Sequence, residues 1–189
     1  EELVEKGISL RRAIKDHTSG STGEPTTYLK DRYAFAEGKA RLFRIWRWAN
    51  TDPYRWSVLI SAPKFRYITP DTTIYISPTR IKEDFEKSID VIRKIKPSVL
   101  RGGPLAVFEF ARIIREKNIS DISFTVAILY GHSLSEPLRN FIENALRCKV
   151  FNLYAMGEIG AIAAECEFHS GFHVFEDNVI IEITDGNGK

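Results

Sequence analysis

Cysteine is scarce in this sequence. Cys148 and Cys166 are the only two, too few for a disulfide framework, and a reduced, cytoplasmic setting fits that usage. Long apolar runs are missing as well: no stretch of about 18 or more apolar residues occurs, so the sequence offers no transmembrane helix. Nor does a basic region followed by an apolar one open the chain, and no signal peptide is visible. The net charge of +2 is too small to imply a nucleic-acid or membrane partner. Internal repeats and low-complexity tracts are also lacking. What remains is ordinary globular composition, 43% hydrophobic and 28% charged over 189 residues. Such a chain makes one large domain or two small ones, and can bury roughly 70% of the surface its unfolded form exposes. It opens on Glu1-Glu2 and closes on the turn signal Asp185-Gly186-Asn187-Gly188-Lys189, and both ends read as cut points.

Periodicity predicts alternating strands and helices. Leu3, Ile8, Leu10, Ala13 and Ile14 suggest a short amphipathic helix, and Thr26 to Leu29 a strand. Asp31 is placed to cap a helix running to about Ala49, with Phe35, Leu42, Ile45, Trp46 and Ala49 on its buried side. Arg41, Arg44 and Trp48 fall on the other side. Such a surface can stack on single-stranded nucleic acid, but the commoner reading is a solvated helix face, since no wider basic footprint accompanies it. Trp56 to Ile60 and Thr73 to Ser77 read as strands, with a loop over Ala62 to Asp71. A helix opened by Ser77-Pro78 carries Ile81, Phe85, Ile89, Ile92 and Ile95 on one stripe until Pro97 stops it. Val99 and Leu100 form a short strand, and a helix burying Val107, Phe110, Ala111 and Ile114 follows. Thr125 to Leu129, a helix from Ser135 and Lys149 to Leu153 make a βαβ unit, and so a parallel pair. Phe172 to Phe175 and Val179 to Thr184 suggest a hairpin around Asp177-Asn178. The fold class expected is a single α/β domain over 1–189, a mostly parallel sheet flanked by helices.

The chemistry is concentrated in three segments. Thr18-Ser19-Gly20-Ser21-Thr22-Gly23 packs four hydroxyls and two glycines into six residues. Glycine lets backbone N–H groups close around an anion, and hydroxyls rotate to meet phosphate oxygens. A polyphosphate such as ATP suits this equipment; a plain surface turn has the same composition. It is not a Walker loop, because Glu24 stands where that motif has Lys. The other two segments follow predicted strands, at the carboxyl rim where open α/β sheets bind ligands: Tyr130-Gly131-His132-Ser133 and Tyr154-Ala155-Met156-Gly157-Glu158. Glu158 is the candidate Mg²⁺ ligand, since that ion takes one or two carboxylates with phosphate oxygens. Tyr154 offers a flat face to a purine, and Gly131 allows close backbone approach. Singly, each is as well explained by packing or solvation.

Taken together, Thr18 to Thr26 resembles the phosphate-loop signature of the adenylate-forming ligases, the acyl-CoA and aryl-CoA synthetase superfamily. Phe151 to Glu158 resembles their second signature. Lys96 to Pro104, Glu165-Cys166, Gly171-Phe172-His173 and Glu176-Asp177 are similar, in order, to the phenylacetate-CoA ligase branch. The resemblance implies ATP-dependent activation of a small-molecule carboxylate, aromatic or hydrophobic, as an acyl adenylate, followed by displacement of AMP by CoA. It implies that Thr18, Ser19, Gly20, Ser21, Thr22 and Gly23 grip the β and γ phosphates, that Gly131, His132 and Ser133 line the adenine edge, and that Tyr154 stacks on adenine. Ala155, Met156 and Gly157 complete the nucleotide site, Glu158 holds Mg²⁺, and Thr18 and Glu158 are the catalytic residues implied. Glu24 and Thr26 flank Pro25 where the family commonly has a Lys, and like charge beside a triphosphate weakens binding. The family's ribose-binding barrel and its C-terminal lysine domain are expected to lie outside this chain. It then reads as a fragment of a ligase, or as a non-catalytic nucleotide-binding or interaction module. Oligomeric state is open, a homodimer being one option.

Cys166, His169 and His173 form a second candidate site, with spacing suited to zinc. Structural zinc wants four ligands, and His132 or Cys148 would have to supply the fourth. Two surface histidines and a packed cysteine are the commoner outcome for such residues.

Overall fold

The computed structural model describes residues 13–17, 26–61 and 72–186. Strand β1 (Ile14–His17) pairs antiparallel with β2 (Thr27–Lys30), Ile14 opposite Lys30 and His17 opposite Thr27. The predicted helix into the glycine loop is thus corrected where it can be followed: Ile14 opens a strand whose backbone groups are satisfied by β2. Residues 1–12 and the predicted phosphate loop itself lie outside the described residues.

Asp31 caps α1 (Arg32–Trp48) as its sequence position predicts, its Oδ1 accepting the Ala34 N–H at 2.6 Å. Asp31→Ala removes that acceptor from the helix start and is expected to lower stability by about 1 kcal/mol. Urea denaturation measures it, and an unchanged midpoint would contradict the role. Beyond α1 come β3 (Ser57–Ile60), β4 (Thr73–Ile76), α2 (Phe85–Ile95), β5 (Val99–Gly102) and α3 (Pro104–Glu116), then β6 (Val126–Tyr130), α4 (Glu136–Leu146), β7 (Lys149–Met156), β8 (Gly160–Ala164) and β9 (His173–Val174). The helix predicted from Ser77 is interrupted: Pro78–Arg80 is a single 3-10 turn, and α-helix begins only at Phe85. Ile81, Phe85, Ile89 and Ile92 are nonetheless all buried. Lys96, at φ 53°, ends α2 just before Pro97, because the residue before proline is disfavoured in the right-handed helical region.

Strands β3 to β9 form one sheet in the order β4-β3-β5-β6-β7-β8-β9. The first five are parallel; β8 and β9 are added antiparallel. Strands buried on both faces read as continuous apolar runs, as 126–130 does. One face packs on α2, α3 and α4 through Leu100, Ala127, Leu129 and Val150. The other packs on α1 through Val99, Val126, Ile128 and Phe151. No helix among the described residues is long and apolar enough to cross a membrane.

Two expectations at the C-terminal side change. Strand β7 runs on past Leu153 to Met156 and turns back into β8, which the sequence did not announce. The hairpin predicted around Asp177-Asn178 does not form: β9 pairs with β8, and 179–184 holds no strand. The turn there instead closes on Phe175, whose carbonyl accepts from both Asn178 and Val179.

The second face of α1 also differs from expectation. Arg41 is buried at 7% exposure. Arg44 donates twice to the Asp177 carboxylate, at 3.0 and 2.9 Å, and lies over the Phe175 ring. Trp48 stacks on Phe175 at 5.5 Å and meets His173 at 5.3 Å. This face is partly covered: Arg44 stays exposed at its edge while the face clamps the segment after β8.

Candidate functional site

Two of the three predicted segments meet at one cleft. Strand β6 ends at Tyr130, and Gly131 turns the chain at φ 91°, a conformation glycine adopts without a Cβ clash. His132 and Ser133 follow, exposed, before Ser135 and α4. On the adjacent parallel strand, Leu153 pairs with Tyr130. The β7–β8 ladder then slips by one residue between Tyr154 and Ala155. A bulge of this kind re-aims side chains, and Tyr154 is 53% exposed although it lies within a strand. Gly131, His132, Ser133, Tyr154 and Ala155 together line an open cleft of about 630 Å³, within the size range of small-molecule sites.

Met156, Gly157 and Glu158 lie beyond the cleft wall, Gly157 and Glu158 on the turn between β7 and β8. Glu158 is exposed there. The same turn holds the β1–β2 hairpin: Lys30 Nζ donates to the Gly157 carbonyl at 2.5 Å. A Cβ added to Gly157 would stand 2.9 Å from the Tyr28 hydroxyl. Thr18, Ser19, Gly20, Ser21, Thr22 and Gly23 lie outside the described residues; the strand after them, β2, meets the Glu158 turn through Tyr28 and Lys30.

Other wall residues escaped the sequence reading. Asn152 sits within the apolar run of β7, and Phe172 between Gly171 and His173. A lone amide inside a buried strand was the available signal for Asn152; for Phe172 there was none.

The zinc site predicted from Cys166, His169 and His173 is not assembled. His173 Nε2 is 3.1 Å from Cys166 Sγ, but His169 turns its Nδ1 to Glu165 Oε2 at 3.2 Å and packs on Phe151. Burial pushes the Cys148 thiol up to about 12, so it is a neutral core group and no fourth ligand. Among the described residues no group of three or more His, Cys, Asp or Glu is arranged for a metal ion. Glu158, the carboxylate expected to hold Mg²⁺, stands exposed on the β7–β8 turn, outside the cleft lining; a single carboxylate is within what that ion takes when phosphate and water supply its other ligands.

No family model matches the sequence. Over 105 residues, 53% of this chain and 24% of the relative, it is 27% identical to a phenylacetate-coenzyme A ligase of Thermus thermophilus. Over 171 residues, 82% of this chain and 38% of the relative, it is 29% identical to the protein CapK of Staphylococcus aureus. Among solved structures, an open 2-hydroxyisobutyryl-CoA ligase in complex with 2-HIB-AMP and CoA superposes with TM-score 0.77 at 16% identity, over 96% of this chain and 45% of that one. A long-chain-fatty-acid-CoA ligase of Archaeoglobus fulgidus gives TM-score 0.58 at 11% identity, over 82% of this chain and 33% of that one. The chain spans less than half the length of each of these proteins. In sequence the chain is similar to part of these ligases, and its fold is that of the large N-terminal α/β domain of adenylate-forming enzymes.

Proposed function

We propose that this chain is the nucleotide-binding part of an ATP-dependent carboxylate–CoA ligase of the phenylacetate-CoA ligase type. The observation that carries the reading is the cleft built by Gly131–Ser133 and Tyr154–Ala155, with the phosphate-loop hairpin docked beside it at Gly157. Tyr154 supplies a stacking face for adenine, and the 131–133 backbone reads the base edge. The hydroxyls and N–H groups of 18–23 hold the β and γ phosphates. A carboxylate oxygen of the substrate attacks the α-phosphorus and pyrophosphate leaves with the bonding pair, giving an acyl adenylate. The CoA sulfur then adds to the acyl carbon and AMP departs. Such chemistry is carried by positioning and charge neutralisation. Mg²⁺, held by Glu158, would neutralise the phosphates as charge shifts onto them. The substrate class is a small carboxylic acid, aromatic or otherwise hydrophobic.

The alternative reading is nucleotide binding without turnover. Carboxylate-dependent exchange of labelled pyrophosphate into ATP separates the two, run on this chain and on a longer form. Exchange in the longer form supports the ligase; exchange in neither supports the binding module. In either case Glu158→Ala is expected to abolish the Mg²⁺-dependent part of nucleotide binding in calorimetry. An unchanged isotherm would remove Glu158 from the site.

A further inference from the structure

One side of the large cleft is apolar, and α1 holds it from behind. Phe172, Val174 and Ile181 line the cleft together with Gly131–Ser133 and Tyr154. Gly131 follows β6 and Val174 lies in β9, three strands away, so the two stand on opposite sides; at about 4.8 Å per strand that is a span of about 14 Å. Side chains alternate along an extended segment, and 172–175 obeys the rule. Phe172 and Val174 turn to the cleft, while His173 and Phe175 turn to α1. There Trp48 stacks on the fully buried Phe175 and meets the His173 ring.

Beyond Phe175 the chain turns, and Ile181 brings it back to the cleft. Asp177 sits in that turn, between the two parts of the wall. Arg44 reaches it from α1 with both arms of its guanidinium, Nη1 to Oδ1 at 3.0 Å and Nη2 to Oδ2 at 2.9 Å, and lies 5.1 Å over the Phe175 ring. A planar fork on a carboxylate fixes orientation as well as distance. The Arg44 hydrogen bonds hold the Asp177 carboxyl below its usual range, so the pair keeps its charge further into acid. Backbone pairing fixes the wall only in part. Strand β9 is two residues long, and its ladder to β8 ends where the Phe175 N–H meets the Ile162 carbonyl. Past it, the hydrogen bonds that tie side chains of 176–178 to the rest of the described residues are the Arg44 pair and a 3.4 Å bond from Asn178 Nδ2 to the Ala161 carbonyl.

We propose that Arg44 and Asp177 are positioning residues for the nucleotide site: their ion pair sets the wall of Phe172, Val174 and Ile181, and so the width left for the base. The proposal rests on the nucleotide reading above and adds to it a determinant outside the cleft.

Calorimetry with AMP on this chain tests it, using Arg44→Asp, Asp177→Arg, the two combined, and Arg44→Gln. Each reversal puts like charges face to face and is expected to weaken AMP binding about fivefold or more. The combined variant restores the pair with its polarity exchanged and is expected to bind AMP within about twofold of the parent. Arg44→Gln removes the charge without adding a like one, and a loss of about two- to fivefold is expected; it carries the test should a reversal fail to fold. Urea midpoints accompany every variant, so that affinities are compared on folded protein. Shifted midpoints with parent-like AMP affinity would mean a merely structural pair and overturn the proposal. A loss in both reversals that the combined variant does not recover would overturn it too. AMP binding by the parent with unaffected variants removes the wall-setting role alone. No AMP binding by the parent overturns the nucleotide reading, and this proposal with it.

Discussion

Glu165→Gln is expected to lower the stability of this chain by about 3–5 kcal/mol, the usual cost of breaking a buried ion pair from one side. Glu165 and Arg139 are each 8% exposed, with Nη2 to Oε1 at 2.6 Å. Glu165 Oε2 also accepts the Asn152 N–H at 2.8 Å, and Arg139 Nη1 donates to the Val150 carbonyl at 2.6 Å. One pair therefore ties α4 to β7 and to the residue just after β8, beneath the strand that carries Tyr154. With the amide in place the guanidinium keeps its charge and loses its buried anion, leaving only the exposed Glu136 carboxylate at 3.5 Å. Replacing both residues by Met and Leu is expected to restore only part of the loss, because the Asn152 N–H and the Val150 C=O remain in need of partners. Urea unfolding at constant slope measures both variants. A midpoint for Glu165→Gln within about 1 kcal/mol of the parent would show the pair to be inert.

Gly157→Val should have little effect on the core and a large one on the site. The new Cβ would enter the space of the Tyr28 hydroxyl, 2.9 Å away, and the Lys30 bond to the Gly157 carbonyl sits on the same residue. Overpacking of this kind costs about 1–3 kcal/mol. The Tyr28 side chain must give way to relieve it, and on the reading proposed above that disturbs the phosphate contacts of 18–23. A displacement of about 1 Å can cost about 10²-fold in rate, and that is the drop expected in carboxylate-dependent pyrophosphate exchange by the longer form. Parent-like exchange would mean that the Tyr28–Gly157 contact does not position the loop.

These two features differ in how far the sequence announced them. Gly157 falls in a strand-end segment, and strand-end logic located both Gly131–Ser133 and Tyr154–Ala155, which the structure brings to one cleft. The parallel core was legible for the same local reasons: Asp31 caps, Pro97 stops, and apolar residues at helical spacing in 85–95 and 104–116 are the ones buried. Arg139 and Glu165 were not legible as a pair. The partner is 26 positions away, so only the tertiary fold joins them. Arg41 misled for a similar reason, since a charged residue on a helix face reads as solvated until something packs over it. Strand β8 is Gly160-Ala161-Ile162-Ala163-Ala164, and alanine carries almost no strand preference. It is a strand because β7 extends far enough to pair with it. The apolar residues of 179–184 made the opposite error, alternating like a strand while Ile180 and Ile183 remain 94% exposed.

Convergence of the three segments on one nucleotide is most directly tested by amide chemical-shift mapping of this chain titrated with ATP and Mg²⁺. The account predicts that 18–23, Gly131–Ser133 and Tyr154–Glu158 shift together along one saturation curve, and that Tyr154→Ala weakens all three responses equally. Shifts confined to one segment, separate curves for different segments, or a response centred elsewhere on the sheet would contradict it.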